Sequence, residues 1–151
     1  MDKLEVLRRC EMFRDLNAEQ LAVVGSLCTS QIFEAGEIIG KQGSKLDNIY
    51  VIEQGAAGII LEVGPLSQRQ VQAASNYDVV CWSGIVEPHI CTATVKALEK
   101  TKALVFNGKE LCDLCIPHPE IGCQICRAVA QIVGKRLRQA YTQLLGVSSQ
   151  D

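Results

Sequence analysis

The residues best equipped for chemistry are eight cysteines in a chain of 151 residues. Four of them form two pairs with metal-ligand spacing, Cys112-x-x-Cys115 and Cys123-x-x-Cys126. Side chains three apart on a helix share a face and can both reach one ion. Two such pairs around a bend that carries His118 could gather four thiolates. Tetrahedral Zn²⁺, with Zn–S distances of about 2.3 Å, or an iron–sulfur cluster would then be the matching chemistry. Thiol redox switching is a second reading of the same residues. Packing as small hydrophobes in a core is a third. Cys10, Cys28, Cys81 and Cys91 have no paired spacing, although Cys81 and Cys91 bracket one segment and could face each other as a redox pair. His89 and His118 each adjoin a proline, with no Ser/His/Asp order or clustered carboxylates near them. An enzyme is therefore not expected.

These residues must be positioned by a small globular framework. The chain is 48 % hydrophobic and 21 % charged, which suits one domain spanning 1–151. Its 15 Lys+Arg against 17 Asp+Glu leave a formal net charge of −2. Such a balance argues against a surface devoted to nucleic-acid phosphates. No run approaches the roughly 18 apolar residues of a membrane span. The charged start Met1-Asp2-Lys3-Leu4-Glu5 lacks the apolar stretch of a signal peptide. A cytoplasmic protein without membrane contact is expected, where cysteines stay reduced.

Residues 1–30 read as two short amphipathic helices, Leu4 to Cys10 and Ala18 to Cys28, the second capped by Asn17. From 31 to 106 the pattern becomes short apolar runs divided by turns. The runs are Ile38-Ile39, Ile49 to Ile52, Gly58 to Leu61, Val79-Val80, Thr92 to Val95 and Ala103 to Phe106. Regular strands and turns predict a mainly β fold, a barrel or jelly-roll sandwich with flanking helices. Residues 109–146 read as a short helix at Glu110 to Cys115, a break at Ile116-Pro117-His118-Pro119 and a long helix from Glu120 to Leu145. Along the long helix, Cys123, Cys126, Ala130, Val133, Leu137, Ala140 and Leu144 alternate three and four apart, a heptad seam suited to a parallel homodimer. A second stripe, Ile121, Ile125, Val129 and Ile132, is apolar only in the N-terminal half. The competing reading lays the seam on the chain's own barrel. Lys135, Arg136 and Arg138 are expected on a solvated helical face.

The order of elements is similar to the cyclic-nucleotide-binding domain of the catabolite activator and cyclic-nucleotide-regulated kinase family. The residues that carry the resemblance are Phe13-Arg14-Asp15-Leu16, Phe33-Glu34-Ala35-Gly36-Glu37-Ile38-Ile39, Gln42-Gly43, Ile49 to Ile52 and Gly55. It implies a β-roll with N-terminal helices and a long C-terminal helix. In nucleotide-binding members a cassette supplies a Gly, a Glu for the ribose hydroxyl and an Arg for the cyclic phosphate. Aligned on Thr92-Ala93-Thr94, those positions fall on Cys81, Trp82 and Cys91. All three groups are missing. A hydrogen bond to a charged group is worth about 1.5–3 kcal/mol, so ordinary cAMP or cGMP binding is not expected.

The candidate ligand pocket is thus a degenerate cassette of Cys81, Trp82, Ser83, His89, Cys91 and Thr92. A protonated His89 could partly replace the lost arginine. Trp82 could plug the pocket or form a wall for a flat apolar ligand. Trp82-Ser83 resembles a bacterial subgroup of the family. By the same resemblance, Cys112, Cys115, Cys123 and Cys126 stand near positions where leucine-like residues pack two helices onto the barrel. DNA-binding relatives continue past the long helix into a helix-turn-helix domain, whereas this sequence stops at Val147-Ser148-Ser149-Gln150-Asp151. No DNA-binding domain and no direct DNA contact are expected. The leading expectation is a homodimeric regulatory or sensory module, with an unidentified protein partner possible. The alternatives are a thiol, Zn or Fe–S sensor on the paired cysteines and a ligand-free interaction subunit.

Overall fold

A computed structural model describes residues 2–146. At the N-terminus, α1 (Lys3–Arg9) and α2 (Ala18–Gly25) are the two short helices expected there. Asn17 and Gln20 form a reciprocal capping box, each side chain accepting the other's backbone N–H at 2.9 Å. Both helices end slightly before the predicted limits, at the residues preceding Cys10 and Ser26.

The β region contains eight strands. They are β1 (Thr29–Phe33), β2 (Ile38–Gly40), β3 (Asn48–Gln54), β4 (Ala57–Gly64), β5 (Ser67–Ala74), β6 (Val79–Val80), β7 (Thr94–Ala97) and β8 (Thr101–Asn107). They pair antiparallel in two four-stranded sheets, β1-β8-β3-β6 and β2-β7-β4-β5. Two strands escaped the sequence reading. β5, Ser-Gln-Arg-Gln-Val-Gln-Ala-Ala, lies at a sheet edge and is mostly exposed, so it carries no apolar alternation. β1 is exposed except at Phe33 and lies at the other sheet's edge. The expected strand at Thr92 to Val95 begins two residues later, because Cys91 and its neighbours belong to a loop.

The pairing of β3 with β8 divides the core. Tyr50 faces Val105 and Ile52 faces Ala103, and these side chains enter the cluster inside the roll with Phe33, Ile59, Val80 and Val95. The alternate residues Ile49, Val51, Leu104 and Phe106 face outward into a second cluster with Val6, Leu7, Met12, Phe13 and Leu21. Strand alternation therefore buries both faces of the pair. Phe13 and Phe106 make the central contact of the outer cluster, with ring centroids 5.3 Å apart.

After β8 the chain forms α3 (Gly108–Leu114), capped by Asn107, and α4 (Pro119–Leu144), which starts on a proline suited to a first helical turn. The buried residues of α4 are Ile121, Ile125, Ala128, Val129 and Ile132. The stripe, not the heptad seam, packs on the chain's own barrel. Of the seam residues, Val133 joins the edge of that packing, while Cys123, Cys126, Ala130, Leu137, Ala140 and Leu144 are exposed.

Phe106 is fully buried, and replacing such a side chain by alanine typically costs about 3–5 kcal/mol. Phe106→Ala should lower the denaturation midpoint correspondingly in equilibrium urea unfolding. A loss below about 1 kcal/mol would show that the outer cluster does not hold the helices to the roll.

Candidate functional site

The cassette region begins where β6 leaves the sheet. Cys81 has φ 64° and ψ 42°, a left-handed backbone that favours glycine, and it caps the short 3₁₀ turn Trp82–Gly84. The position aligned with the family's glycine thus keeps a glycine-type conformation while carrying a thiol. Gly84 ends this turn against the carbonyl of Asn48, and Gly108 lies against the carbonyl of Gly84, with no space for a Cβ at either position. Three backbone segments, the cassette turn, the start of β3 and the start of α3, therefore meet directly.

Cys81 and Cys91 are both buried, and their sulfur atoms pack beside Gly40, 3.0 and 3.4 Å from where a Cβ would stand. Cys91 Sγ donates to the Ala93 carbonyl at 2.8 Å. Burial, with the Cys91 thiol nearby, pushes the Cys81 thiol far above its ordinary range despite the favourable field of Arg136. Such thiols are packing groups rather than nucleophiles.

Five of the six expected pocket residues, Cys81, Trp82, Ser83, Cys91 and Thr92, line one cavity of about 40 Å³. Ile59, Ala93, Val95 and Arg136 complete its wall. His89 does not join them. Its Nδ1 lies 2.8 Å from the Ser83 carbonyl, and the residue lines a separate groove with Lys45, Asp47 and Glu87. His89 is therefore no substitute for a cassette arginine. Trp82 is only partly buried and also packs against the outer core cluster.

Arg136 was not legible as a site residue. Its placement corrects the expectation of a solvated face. Nη1 donates to Gln72 Oε1 at 2.8 Å, Nη2 donates to the Val79 carbonyl at 3.2 Å, and Gln72 Nε2 donates to the Arg136 carbonyl at 3.3 Å. Arg136 Nε is buried and lacks a hydrogen-bond partner. Among the described residues no carboxylate forms an ion pair with it. Burial lowers its pKa, opposed by the negative charge of Asp78, which lines the same neighbouring cavity. A signal did exist: Ile121, Ile125, Val129 and Ile132 continue by helical spacing to Arg136 and then to Gln143, which donates to the Val71 carbonyl.

The paired cysteines also differ from the core-packing expectation. Cys112, Cys123 and Cys126 are exposed and Cys115 is half-buried. Cys115 packs against Gly122, where α3 and α4 approach closely, and donates to the Leu111 carbonyl at 3.2 Å. Burial raises the Cys112 thiol first, with Cys126 and Asp113 adding to it. Among the described residues no group of three or more His, Cys, Asp or Glu side chains is arranged to hold a metal ion. Of the four, Cys115 alone packs against the outer core cluster.

With the roll, cassette and C-terminal helix in place, the class is that of cyclic-nucleotide-binding β-rolls. The model of the cyclic nucleotide-binding domain matches residues 30–118, and the chain belongs to that family. A protein named as a potassium channel of Rhodopseudomonas palustris is 25% identical over 145 residues, covering 93% of this chain and 34% of its own. The chain thus spans about a third of that relative's length. A cyclic nucleotide-binding protein from Geobacter metallireducens superposes with a TM-score of 0.77 at 23% identity, over 91% of this chain and 99% of its own. A cyclic nucleotide-binding domain from Methylobacillus flagellatus gives 0.83 at 16% identity, over 98% and 83%. Those two likenesses establish the fold. Among the described residues no helix is long and apolar enough to cross a membrane.

The burial pattern yields a thiol test. The exposed Cys112 should react with an aromatic disulfide reagent in the native protein, slowed by its raised pKa, whereas Cys10, Cys28, Cys81 and Cys91 should react only after unfolding. Burial pushes Cys10 up to about 12, so raising the pH to about 9 should not expose its thiolate. The sign follows from linkage: with the folded pKa above the unfolded one, the stabilisation is complete at low pH and is lost as pH climbs through the folded value. Fast modification of Cys81 in the native protein would show that the cassette stands open.

Proposed function

We propose that the chain is a non-enzymatic regulatory module whose cassette does not bind cAMP or cGMP in the family's usual way. One observation carries this reading: the cavity lined by Cys81, Trp82 and Cys91 measures about 40 Å³. Small-molecule sites are typically about 300–1,000 Å³. The residues present do not fit a cyclic nucleotide. No carboxylate lines the cavity to meet a ribose hydroxyl, and the cassette's own arginine position is Cys91. The backbone of the family site is preserved without its recognition chemistry. Calorimetric titration with cAMP and with cGMP should give no saturable heat up to millimolar nucleotide. A micromolar dissociation constant for either would overturn the reading.

The output element in this proposal is α4, pairing with a second copy of the chain in parallel. Its heptad residues Cys126, Ala130, Leu137, Ala140 and Leu144 are exposed, Leu144 at 82% and Leu137 at 49%, while Val133 is half-buried. An exposed leucine seam beside a fully used barrel-facing stripe supports a partner of the same repeat. Light scattering should return the mass of two chains at tens of micromolar, and Leu137→Glu should shift it toward one. Dilution should speed modification of Cys123 and Cys126 as the seam opens. A monomer mass with concentration-independent thiol reactivity would refute the dimer.

A further inference from the structure

We infer that Cys112 of α3 and Cys126 of α4 form a reversible disulfide, which makes the junction of the two C-terminal helices a thiol-redox site. The inference does not depend on what the cassette binds. Spacing alone pairs Cys112 with Cys115 and Cys123 with Cys126, whereas the fold regroups them. α3 ends on Cys115, whose Cβ and Sγ lie 2.9 and 3.4 Å from where a Cβ would stand on Gly122. A disulfide needs α-carbons about 4.4–6.8 Å apart, and helices approach that closely where a residue as small as glycine lets them touch. Cys112 stands one turn before Cys115 on the same face of α3, and Cys126 one turn after Gly122 on the same face of α4. Cys123 is rotated about 100° from Gly122 and leaves the group.

The surrounding packing gives the same grouping. Leu111 and Cys115 share one core cluster with Ile121 and Ile125. Cys112 and Cys126 each follow a member of that cluster by one residue and are exposed, so they flank the contact on its solvent side. The electrostatics agree: burial and then the charge of Cys126 raise the Cys112 thiol. Cys115 is the poorer partner, because it is half-buried and its Sγ donates to the Leu111 carbonyl at 3.2 Å.

The oxidant is a low-molecular-weight disulfide of the glutathione class. The exposed Cys126 thiolate attacks one of its sulfurs, the S–S bond breaks and one glutathione thiolate leaves. The mixed disulfide removes the negative charge from Cys126 Sγ, which eases ionisation of Cys112. Cys112 Sγ then attacks Cys126 Sγ, forming the protein disulfide and expelling the second glutathione thiolate. The two protein thiol protons pass through solvent to the two leaving thiolates. Two protein thiols thus lose two electrons and one glutathione disulfide gains them. Cys126 is also a seam residue, so the bond ties part of the pairing face of α4 back to α3.

The full chain, reduced and dilute so that pairing of α4 does not shield Cys126, would be incubated with glutathione disulfide, blocked with iodoacetamide and mapped by mass spectrometry without reduction. Cleavage after Asp113 and Glu120 separates Cys112 and Cys115 from each other and from Cys123 and Cys126. Cys123→Ser leaves Cys126 as the one thiol of its peptide. The proposal expects a Cys112–Cys126 link in most chains, formed equally well in Cys123→Ser and reopened by dithiothreitol. Cys112→Ser should instead retain one glutathione on Cys126, and Cys126→Ser should lose the link. Circular dichroism checks that each variant is folded, and the wild-type map decides alone where one is not. A link from Cys126 to Cys115 or to a second chain, glutathione retained on wild-type Cys126, or an unaltered dithiol would overturn the site. The map is read on dilute single chains, so a failure of α4 pairing or a positive nucleotide titration leaves its outcome untouched.

Discussion

The structure depends on one pair of strands buried on both faces. β3 and β8 send Tyr50, Ile52, Ala103 and Val105 into the roll and Ile49, Val51, Leu104 and Phe106 out beneath the helices. A register slip of one residue would exchange these two sets and put the large Phe106 ring inside the roll. The Phe13–Phe106 contact and the buried stripe of α4 both presuppose this register. Helices and roll are thus coupled through a shared sheet rather than through a linker.

The same strands explain how the cassette turn is seated. The turn Trp82–Gly84 is seated on the first residues of β3 and α3, where Gly84 and Gly108 leave no room for side chains. Backbone contacts of this kind do not depend on what the neighbouring positions recognise. Cys81 accepts a left-handed conformation that costs a non-glycine residue about 1 kcal/mol, and its burial beside Gly40 and Cys91 offsets that cost. Fold membership and ligand identity are separable here for a stated geometrical reason.

Much of this was legible in the residues. Asn17 declared its helix, Ile49 to Ile52 and Ala103 to Phe106 declared the central strands, and Ile121 to Ile132 declared the face of α4 that meets the barrel. β5 was not legible because an edge strand with polar residues on both faces has no hydrophobic period. The exposure of Cys112, Cys123 and Cys126 was hidden because cysteine is common both in cores and at reactive surfaces. Arg136 was hidden for a different reason. Its neighbours Lys135 and Arg138 do face solvent, and charge type alone does not separate one from the others. His89 shared the cassette's sequence, but its ring lies against the Ser83 carbonyl and its backbone takes a positive φ of 65°.

The two halves of α4 are held by different physics. From Ile121 to Ile132 the helix is fixed by apolar burial, which is tolerant of small displacements and needs no single partner. From Arg136 to Gln143 it is fixed to β5 and β6 by directional hydrogen bonds from Arg136, Gln72 and Gln143. Directional contacts weaken steeply with misalignment, so the seating of the C-terminal half depends on a few exact partners where that of the N-terminal half does not. The exposed residues Leu137, Ala140 and Leu144 lie on that same C-terminal half. The contacts of Arg136 thus hold the same segment that carries the exposed residues of the seam.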